Sequence, residues 1–424
     1  MKIIIKYIQI LNQRSIAMKN NGEKSRLKIC VLTGTFFDSK MPARPAITEI
    51  FGNYLPLFGH KITWLVHSDK ERIFNYNQVK VIGIKSSSKE SKFKNFLNKM
   101  LFYVREYKYL KKLIQKKKCE IIQVRNSTFE AVVALIVSKK YKIPVVFQYS
   151  FPKDFIKYNK KNNVFYFYEI FEKKVLKFVL KNVDFIFPIS KWMEKELVKK
   201  GIPNSKMMSL PLGVNPDRFS KNIKGSDVRK KYGINNEYVL LLYVGTMDKL
   251  RDLDVIIEAF YKAKKDREKI KLMMVGKGNN LESIKNLSKS LGLSNDIIFT
   301  GNVSYDDVPY YIAASDVCLC PVPPKEIYKV CSPTKLFEYM VMEKPILTNF
   351  EIPEQKEIIE KSDAGLLVSF DKNGFSEGIA KILQNPDELK KMGKKGYQWV
   401  LKNRFYDKMA HDVEKRFYEI ISNN

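Results

Sequence analysis

The most constraining feature of this sequence is an alternation of short β-branched runs with helical patterns, which occurs once and then starts again. The first series of runs is LKICVLT, KITWLV, IIQV, IPVVFQ and VDFIFPI, and the second, after PLGVNPDRF, is YVLLLYVG, KLMMVG, DIIFTG, DVCLCPV and KPILTN. Strands that alternate with helices form βαβ units and therefore parallel sheets. The sequence predicts an α/β fold with two parallel-sheet domains.

The length agrees with two domains, because 424 residues exceed what one hydrophobic core usually organises. We predict an N-terminal extension over residues 1–26, a Rossmann-like domain over 27–213, a second one over 214–403, and a C-terminal helix over 404–424 that packs back on the first domain. Open α/β sheets bind ligands outside the carboxyl ends of their strands. Two such sheets joined near residues 212–218 therefore predict a binding cleft between the domains.

The basic charge of the chain is concentrated in two stretches. The formal net charge is +31, which attracts anionic lipid, nucleic acid or phosphorylated substrates, although base bias in a genome is another source of lysine. Between Lys89 and Lys118 eleven Lys or Arg residues interleave with apolar side chains, and Phe155–Lys181 repeats the mixture. Helices of this kind lie on anionic membranes. The alternative is an ordinary helix whose apolar stripe covers the sheet.

The cysteine and histidine content argues against a structural metal site. Five cysteines lie mostly within apolar runs, and none of the three histidines is near the pair Cys318 and Cys320. We therefore expect reduced core cysteines and no zinc site.

The chain starts with the apolar run MKIIIKYIQIL, which is too short to span a bilayer and makes a poor signal peptide. Translation from Met18 and a short surface anchor are both open readings of this segment. We expect a cytoplasmic protein.

Glycines follow several predicted strands at the edge where α/β sheets bind ligands. A glycine there either lets backbone amides approach a phosphate at a helix N-terminus or is a plain turn. Three such turns in order along one sheet edge favour a nucleotide site in the second domain. The candidate positions are Gly34 and Thr35 in the first domain and Gly245, Gly276, Gly278 and Asn302 in the second.

Two cations stand near the first of the second-domain glycines. Lys249 and Arg251 follow the strand that ends at Gly245 and precede a helix. Cations at that place neutralise the charge that develops on a diphosphate leaving group, and the alternative is a pair of solvated loop charges. The nearby Asp252-Leu253-Asp254 resembles a metal-binding D-x-D, but acids in a first helical turn more often stabilise the helix.

The segment CSPTKLFEYMVMEKPIL from Cys331 to Leu347 carries the strongest signal. Ser332 and Thr334 precede a short helix whose free amides form an anion site. Glu338, one turn later, accepts hydrogen bonds from ribose hydroxyls in this interpretation. The alternative is a buried ion pair between Glu338 and Lys335.

These residues resemble the donor-binding domain of the family 4 glycosyltransferases. The resemblance rests on YVGTMDKLRDLDVIIEAF, KLMMVGKGNN, IIFTGNVSYDDVPYYIAASDVCLCPV and SPTKLFEYMVMEKPIL, in the family's order and spacing, over about 180 residues. The first half of the chain matches the family in kind, in the segments KICVLTGTFF, LPLFGHKITWLV, VDFIFPISKWMEKELVKKGIP and MMSLPLGVNPDRF. The resemblance implies the GT-B fold, in which two Rossmann-like domains face each other across a cleft.

The resemblance also assigns roles to individual positions. Arg251 matches the family's phosphate-binding cation, and Glu338 matches the second glutamate of its E-x7-E motif. The first glutamate of that motif falls at Val330, and Glu326 is a possible substitute. Arg125 and Asn126 stand where many members have a histidine near the reacting sugar.

The activity implied by the resemblance is retaining, metal-independent transfer of a sugar from a nucleoside-diphosphate sugar. The diphosphate leaves with the help of Arg251, Lys335 and helix amides, and the acceptor hydroxyl attacks from the same face. The expected partners are a nucleotide-sugar donor, a glycan or lipid-linked acceptor and the inner face of an anionic membrane, with no cofactor. Envelope polysaccharide or lipopolysaccharide synthesis fits this pattern.

Three alternatives remain open from the sequence. One is a GT-B scaffold that has lost catalysis, which Val330 at the position of the motif glutamate suggests and which would bind a donor without turnover. A nucleotide-sugar epimerase shares the GT-B architecture and differs in changing the sugar without an acceptor. A basic nucleic-acid-binding protein would use the charge on phosphates, but the chain has no recognition-helix, RNP or zinc signature for it. We therefore expect no nucleic-acid partner.

Overall fold

The computed structural model describes residues 26–36, 47–86, 92–152 and 163–423, and it gives no side-chain description for residues 92–97 and 163–168. Residues 1–25 of the predicted N-terminal extension lie outside the described residues, as do the first residues of the second basic stretch.

The first sheet has seven strands. They are β1 Lys28–Phe36, β2 Lys61–Ser68, β3 Arg72–Tyr76, β4 Val79–Lys85, β5 Ile121–Arg125, β6 Val145–Tyr149 and β7 Phe185–Pro188. Their order is β3-β4-β2-β1-β5-β6-β7, and every pair is parallel except the antiparallel edge pair of β3 and β4. The sequence pattern does not give β3, because an edge strand whose residues are only half buried carries no apolar run.

The second sheet has six strands, all parallel. They are β8 Val239–Val244, β9 Ile270–Val275, β10 Ile297–Gly301, β11 Val317–Cys320, β12 Ile346–Asn349 and β13 Gly365–Val368. The order is β10-β9-β8-β11-β12-β13. The predicted α/β architecture with two parallel-sheet domains is therefore confirmed.

Helices cover both sheets, as parallel strands require. In the first half a π-helical segment Ile47–Tyr54 continues into the turn Leu55–Leu57. The other helices of this half are α1 Lys92–Gln115, α2 Thr128–Tyr141, α3 Asn163–Asn182 and α4 Lys191–Lys199. Those of the second half are α5 Ser226–Lys231, α6 Asp254–Asp266, α7 Leu281–Ser290, α8 Val308–Ala314, α9 Glu326–Lys329, α10 Thr334–Val341, α11 Pro353–Ser362, α12 Lys372–Ile382, α13 Pro386–Asn403 and α14 Tyr406–Ser422.

The chain crosses between the two sheets twice, and the crossings lie side by side. The Val214 amide donates to the Arg404 carbonyl over 3.0 Å, and Val214 forms a parallel bridge with Phe405. Helix α14 then packs on the first half, where Val413 and Phe417 are buried against its core. The regularly spaced apolar residues of α14 therefore face the first sheet rather than the second.

Candidate functional site

The carboxyl ends of β8 and β9 come so close that only glycine fits between them. A Cβ on Gly276 would stand 2.0 Å from the Gly245 carbonyl oxygen, and one on Gly278 would stand 2.2 Å from the Met247 carbonyl carbon. Gly276 also has a φ of 138°, which side chains rarely adopt. These glycines, which the sequence predicts as donor-binding, bring the loops after two strands together at one edge of the second sheet.

Lys335 and Arg251 reach this edge from two different elements. The Lys335 ammonium lies 4.2 Å from the centre of the Tyr243 ring and 2.7 Å from where a Cβ on Gly245 would stand. The Arg251 guanidinium stacks on Tyr328 at 4.8 Å, and its Nε donates to Thr246 Oγ1 over 3.4 Å. The two predicted phosphate-binding cations are therefore neighbours.

The electrostatics of this pair follow from its surroundings. Burial and the positive charge of Arg251 together lower the pKa of Lys335 to about 8. An ammonium in such a place is short of a counter-charge. A phosphate bound beside Gly245 would supply one, so the arrangement is suited to an anion.

Glu338 lies one turn further along α10 and is buried. Its Oε1 accepts a hydrogen bond from the Tyr305 hydroxyl over 2.8 Å. Burial raises the pKa of Glu338 to about 7, although Tyr305, Lys335 and Arg218 all act to lower it. The partner in direct contact is thus a tyrosine from the loop after β10, and Lys335 acts on the carboxylate through its charge.

The start of α10 is held from behind. Ser332 is buried, and its Oγ donates to Glu354 Oε1 over 3.0 Å and accepts from the Leu212 amide over 3.4 Å. Its hydroxyl is therefore already engaged by the protein. Thr334 is half buried at the first position of the helix. Of these two predicted donor-binding residues, Ser332 serves to fix the loop.

Three other predicted residues lie toward solvent. Lys249 is exposed, and its amide donates to Asn279 Oδ1 over 3.0 Å. Asn302 is exposed after β10. Glu326 is exposed at the start of α9, where it pairs with Lys329 at 2.8 Å.

The first-domain side of the cleft is built on a buried carboxylate that the sequence pattern does not reveal. The Gly34 amide, at a φ of 62°, donates to Glu130 Oε2 over 3.1 Å. The other oxygen of Glu130 is 2.8 Å from His67 Nε2. Thr35 Oγ1 donates to Thr33 Oγ1 over 3.1 Å. Glu130 therefore holds the irregular end of β1 at Gly34 in its left-handed conformation.

Arg125 is the last residue of β5, and Asn126 follows it. Asn126 Oδ1 accepts from the amides of Ser150 and Phe151 over 2.7 and 3.0 Å, so this side chain ties β5 to the end of β6. Arg125 is buried. Its positive charge and the negative charge of Glu338 both act on the pKa of the Tyr406 hydroxyl, which burial raises above its usual value. Arg125 and Glu338 thus lie near one side chain from opposite halves of the chain.

Val330, which stands where the family motif has its first glutamate, contacts the first half of the molecule. It packs in the core cluster that includes Met193 and Leu197 of α4. Its carbonyl accepts a hydrogen bond from Ser190 Oγ over 2.7 Å. An apolar residue suits this position because it is buried between the two halves.

The residues that sequence reasoning missed share one property. They are polar side chains whose hydrogen-bond partners are distant in the chain. Tyr305 bonds to Glu338, 33 residues away, and Glu130 bonds to Gly34, 96 residues away. Glu354 bonds to Ser332 and Arg404, which are 22 and 50 residues away. Of these residues only Tyr305 lies in a segment that carries the resemblance to the donor-binding domain, TGNVSYDD. Nothing in the local pattern marks the other three.

Within the described residues no group of three or more His, Cys, Asp or Glu side chains is arranged to hold a metal. The D-x-D-like acids are engaged elsewhere. Asp252 pairs with Lys325 at 2.7 Å, and Asp254 begins α6.

A cavity of about 320 Å³ lies behind the linker rather than at the glycine edge. Residues from α4, the linker, α11, α13 and α14 line it, including Trp192, Leu210, Glu354 and Trp399. The donor-side residues Lys335 and Glu338 do not border this cavity. It belongs to the region where the chain crosses between the sheets.

Two family models match the chain one after the other. Residues 49–218 match the model of glycosyltransferase family 4, and residues 226–399 match that of glycosyl transferases group 1. Together the two models cover about four fifths of the chain. The gap between the two matches, residues 219–225, directly follows the predicted domain junction near residues 212–218.

Curated relatives are distant in sequence. The chain is 24% identical over 264 residues to an uncharacterized glycosyltransferase, MJ1069, of Methanocaldococcus jannaschii, covering 62% of this chain and 64% of that one. It is 22% identical over 297 residues to alpha-monoglucosyldiacylglycerol synthase of Streptococcus pneumoniae, covering 68% and 65%. In both cases the match spans slightly less than two thirds of the relative's own length.

Solved structures align over nearly the whole chain. Sucrose-phosphate synthase from Thermosynechococcus elongatus superposes with a TM-score of 0.71 at 16% identity, over 94% of this chain and 100% of that one. HepE from Anabaena, solved with UDP, superposes with a TM-score of 0.67 at 13% identity, over 93% and 100%. At these identities the likeness concerns the fold, and with the consecutive family matches it leads to one conclusion. The chain belongs to the family 4 glycosyltransferases and has their GT-B fold.

Proposed function

We propose that this protein is a retaining glycosyltransferase that moves a sugar from a nucleoside-diphosphate sugar to a glycan or lipid-linked acceptor. One observation carries the proposal: Lys335, Arg251 and Glu338 converge at the glycine edge of the second sheet. Two cations beside amides at a helix start suit a diphosphate, and a buried carboxylate one turn away suits ribose hydroxyls.

The proposed mechanism assigns the chemistry to charge and positioning. As the bond between the sugar and the diphosphate breaks, Lys335 and Arg251 stabilise the charge that develops on the leaving phosphate. The acceptor hydroxyl attacks from the same face, and a phosphate oxygen takes its proton. The retaining outcome and the metal-independent route are those implied by the family. The first-domain loop at Gly34 and the end of β5 at Arg125 are proposed to face the sugar and the acceptor.

The names of similar proteins support the proposed substrates. HepE was solved with UDP. One relative is named as a glucosyldiacylglycerol synthase and others as GDP-mannose-dependent mannosyltransferases of a phosphatidylinositol monomannoside. A nucleotide-sugar donor and a lipid-linked acceptor are therefore the first substrates to test, in the setting of envelope polysaccharide or lipopolysaccharide synthesis.

Calorimetric titration with UDP, GDP and the corresponding nucleotide sugars tests the donor proposal. We expect one nucleotide to bind the wild type and to bind Arg251→Ala about 10-fold more weakly, since a charge-assisted hydrogen bond contributes about 1.5–3 kcal/mol. Lys285→Ala is the matched control, because this cation pairs with Glu282 on the surface of α7. Equal weakening in both variants, or no binding to the wild type, would contradict the proposal. Sugar conversion without an acceptor would favour an epimerase.

We also propose that the protein works at the cytoplasmic face of a membrane, through helix α1. Met100, Leu101 and Val104 are about half exposed on this helix, whereas Phe102 and Leu110 are buried in the core beneath it. The apolar stripe therefore covers the sheet, and a second apolar face remains beside exposed lysines such as Lys108. Among the described residues no helix is both long and apolar enough to cross a bilayer.

Sedimentation with lipid vesicles checks the membrane proposal. Replacing both Leu101 and Val104 by Glu is expected to lower binding to phosphatidylglycerol vesicles more than 10-fold, because two apolar side chains lose roughly 1.5 kcal/mol or more each on failing to insert. Val198→Glu, an exposed apolar position on α4, is expected to leave binding unchanged. Undiminished binding of the double variant would contradict the proposal.

A further inference from the structure

A buried hydrogen-bond network, which we call the hinge network, joins the donor side of the cleft to the chain crossing. It consists of Leu212, Ser332, Glu354 and Arg404. Glu354 Oε1 accepts from Ser332 Oγ and from Arg404 Nη2, each over 3.0 Å. Ser332 Oγ accepts in turn from the Leu212 amide over 3.4 Å. One carboxylate oxygen therefore links the first crossing, the start of α10 and the second crossing.

The members of the hinge network are fixed by their surroundings. Glu354 is 4% exposed and Ser332 is 6% exposed. The Arg404 guanidinium lies over Phe337 at 5.2 Å and Trp399 at 5.7 Å, and its backbone carbonyl accepts from Val214. A shift of the first crossing must therefore move or break the bond between Leu212 and Ser332, and a shift of the second must move or break the bond between Arg404 and Glu354.

Ser332 connects the hinge network to the proposed donor site. Ser332 lies three residues before Lys335 and six before Glu338, and α10 presents both. Because a helix moves as a rigid unit, the anchor at Ser332 sets where the ammonium and the carboxylate stand. The anchor is in turn set by the crossing that fixes the orientation of the first half.

We propose that Glu354 is a positioning residue that couples the arrangement of the two domains to the geometry of the donor site. It acts through Ser332 and Arg404. The effect on donor binding rests on the proposed function, whereas the coupling between the chain crossings and α10 is a property of the ligand-free protein.

The energetics of Glu354 fit a functional role. Burial raises its pKa to about 7, although Arg404 and Ser332 both act to lower it. A carboxylate ionised in such a place destabilises the fold relative to a neutral residue of the same shape.

Hydrogen exchange of the ligand-free protein tests the coupling. In Glu354→Ala we expect the amides of residues 212–214 and 332–338 to exchange at least 10-fold faster, and in Glu354→Gln to return toward wild-type rates, because an amide oxygen can still accept from Ser332 and Arg404. Glu357→Ala is the control, since this residue lies on the same helix, borders the same cavity and pairs with Lys361 on the surface. Should Glu354→Ala not fold, Ser332→Ala and Glu354→Gln provide the same comparison.

UDP affinity gives the second readout. We expect Glu354→Ala to bind UDP about 10-fold more weakly, Glu354→Gln to recover most of that loss, and the Ser332→Ala/Glu354→Ala double variant to lose no more than either single one, because both act through one contact. Unchanged exchange at residues 332–338, an equal effect in Glu357→Ala, or additive losses would overturn the inference. If the wild type binds no nucleotide, the proposed donor site fails, and the exchange result alone decides the coupling.

Discussion

Lys335→Met is expected to lower kcat about 100- to 1,000-fold in the transfer reaction while the fold is kept. The ammonium lies beside Gly245, where the leaving phosphate is proposed to sit. Removing one pre-positioned group that stabilises developing charge costs transition-state stabilisation on that scale. Methionine keeps an unbranched apolar side chain but lacks the ammonium that lies over Tyr243, so the loss isolates the charge. Initial rates at saturating donor and acceptor measure it.

The protonation of Lys335 offers a check that needs no acceptor. Its pKa is lowered to about 8 by burial, so at pH 8.5 much of it is neutral in the free protein. A bound diphosphate favours the ammonium, and UDP binding should therefore take up a proton. Calorimetry in buffers of different ionisation enthalpy measures the uptake, which should be absent in Lys335→Met. Uptake that persists in the variant would show that another group responds to the diphosphate.

Stability serves as the control for this variant. The folded pKa of Lys335 lies below the unfolded value of 10.5, so below about pH 8 the buried charge destabilises the fold, and the penalty disappears as pH rises to 10.5. Lys335→Met should accordingly be at least as stable as the wild type at pH 7. A lower melting temperature there would mean that the activity loss reflects misfolding.

Glu338→Gln is expected to bind UDP about 10- to 100-fold more weakly and to be more stable than the wild type at alkaline pH. The weaker binding follows because an amide has one accepting oxygen where a carboxylate has two, and it lacks the negative charge; hydrogen bonds to charged groups contribute about 1.5–3 kcal/mol. The amide oxygen still accepts from Tyr305, whose hydroxyl is 2.8 Å from Glu338 Oε1. Calorimetry and thermal unfolding measure the two effects.

The pH dependence of the stability gain has a definite sign. The folded pKa of Glu338 is raised to about 7 from 4.5, so between these values the folded state binds more protons than the unfolded state. Stability then falls as pH rises through that window. The penalty reaches roughly 3 kcal/mol above pH 7, at about 1.4 kcal/mol per pH unit. Glu338→Gln should lack it.

The comparison at two pH values separates this account from a packing effect. At pH 5 the wild-type carboxyl is mostly protonated, and the two proteins should unfold at similar temperatures. At pH 8 the variant should unfold at the higher temperature. A difference that is the same at both pH values would show that the ionisation of Glu338 carries no cost. Normal UDP binding by the variant would remove Glu338 from the donor site.

Most of the strands that the sequence predicts are buried on both faces. The second-half runs from YVLLLYVG to KPILTN correspond to β8 to β12, and the glycines that follow them stand at one sheet edge. The misses are the edge strands β3 and β13, whose residues are half buried, and β4, which is largely buried. The sequence of β3, RIFNY, carries no long apolar run, whereas the edge strands β7 and β10 carry one and are predicted.

For the candidate site, the sequence found residues that stand next to a strand end or a helix start. It identified Arg251, Lys335 and Glu338, and their proposed roles stay predictions. It did not separate Ser332, whose hydroxyl is engaged by Glu354 and Leu212, from residues free to meet a ligand. It also gave no sign of Glu130, which holds the Gly34 loop from 96 residues away.

The sequence by itself therefore determined the α/β class, the two parallel sheets and the edge at which the cations stand. These follow from local patterns, since strand and helix periodicity and glycine turns need only neighbouring residues. The tertiary structure alone decided which partner each polar side chain meets and how burial shifts the pKa values of Lys335, Glu338 and Glu354. Both depend on how closely segments distant in the chain pack, because packing sets the desolvation and the hydrogen-bond partners of each group.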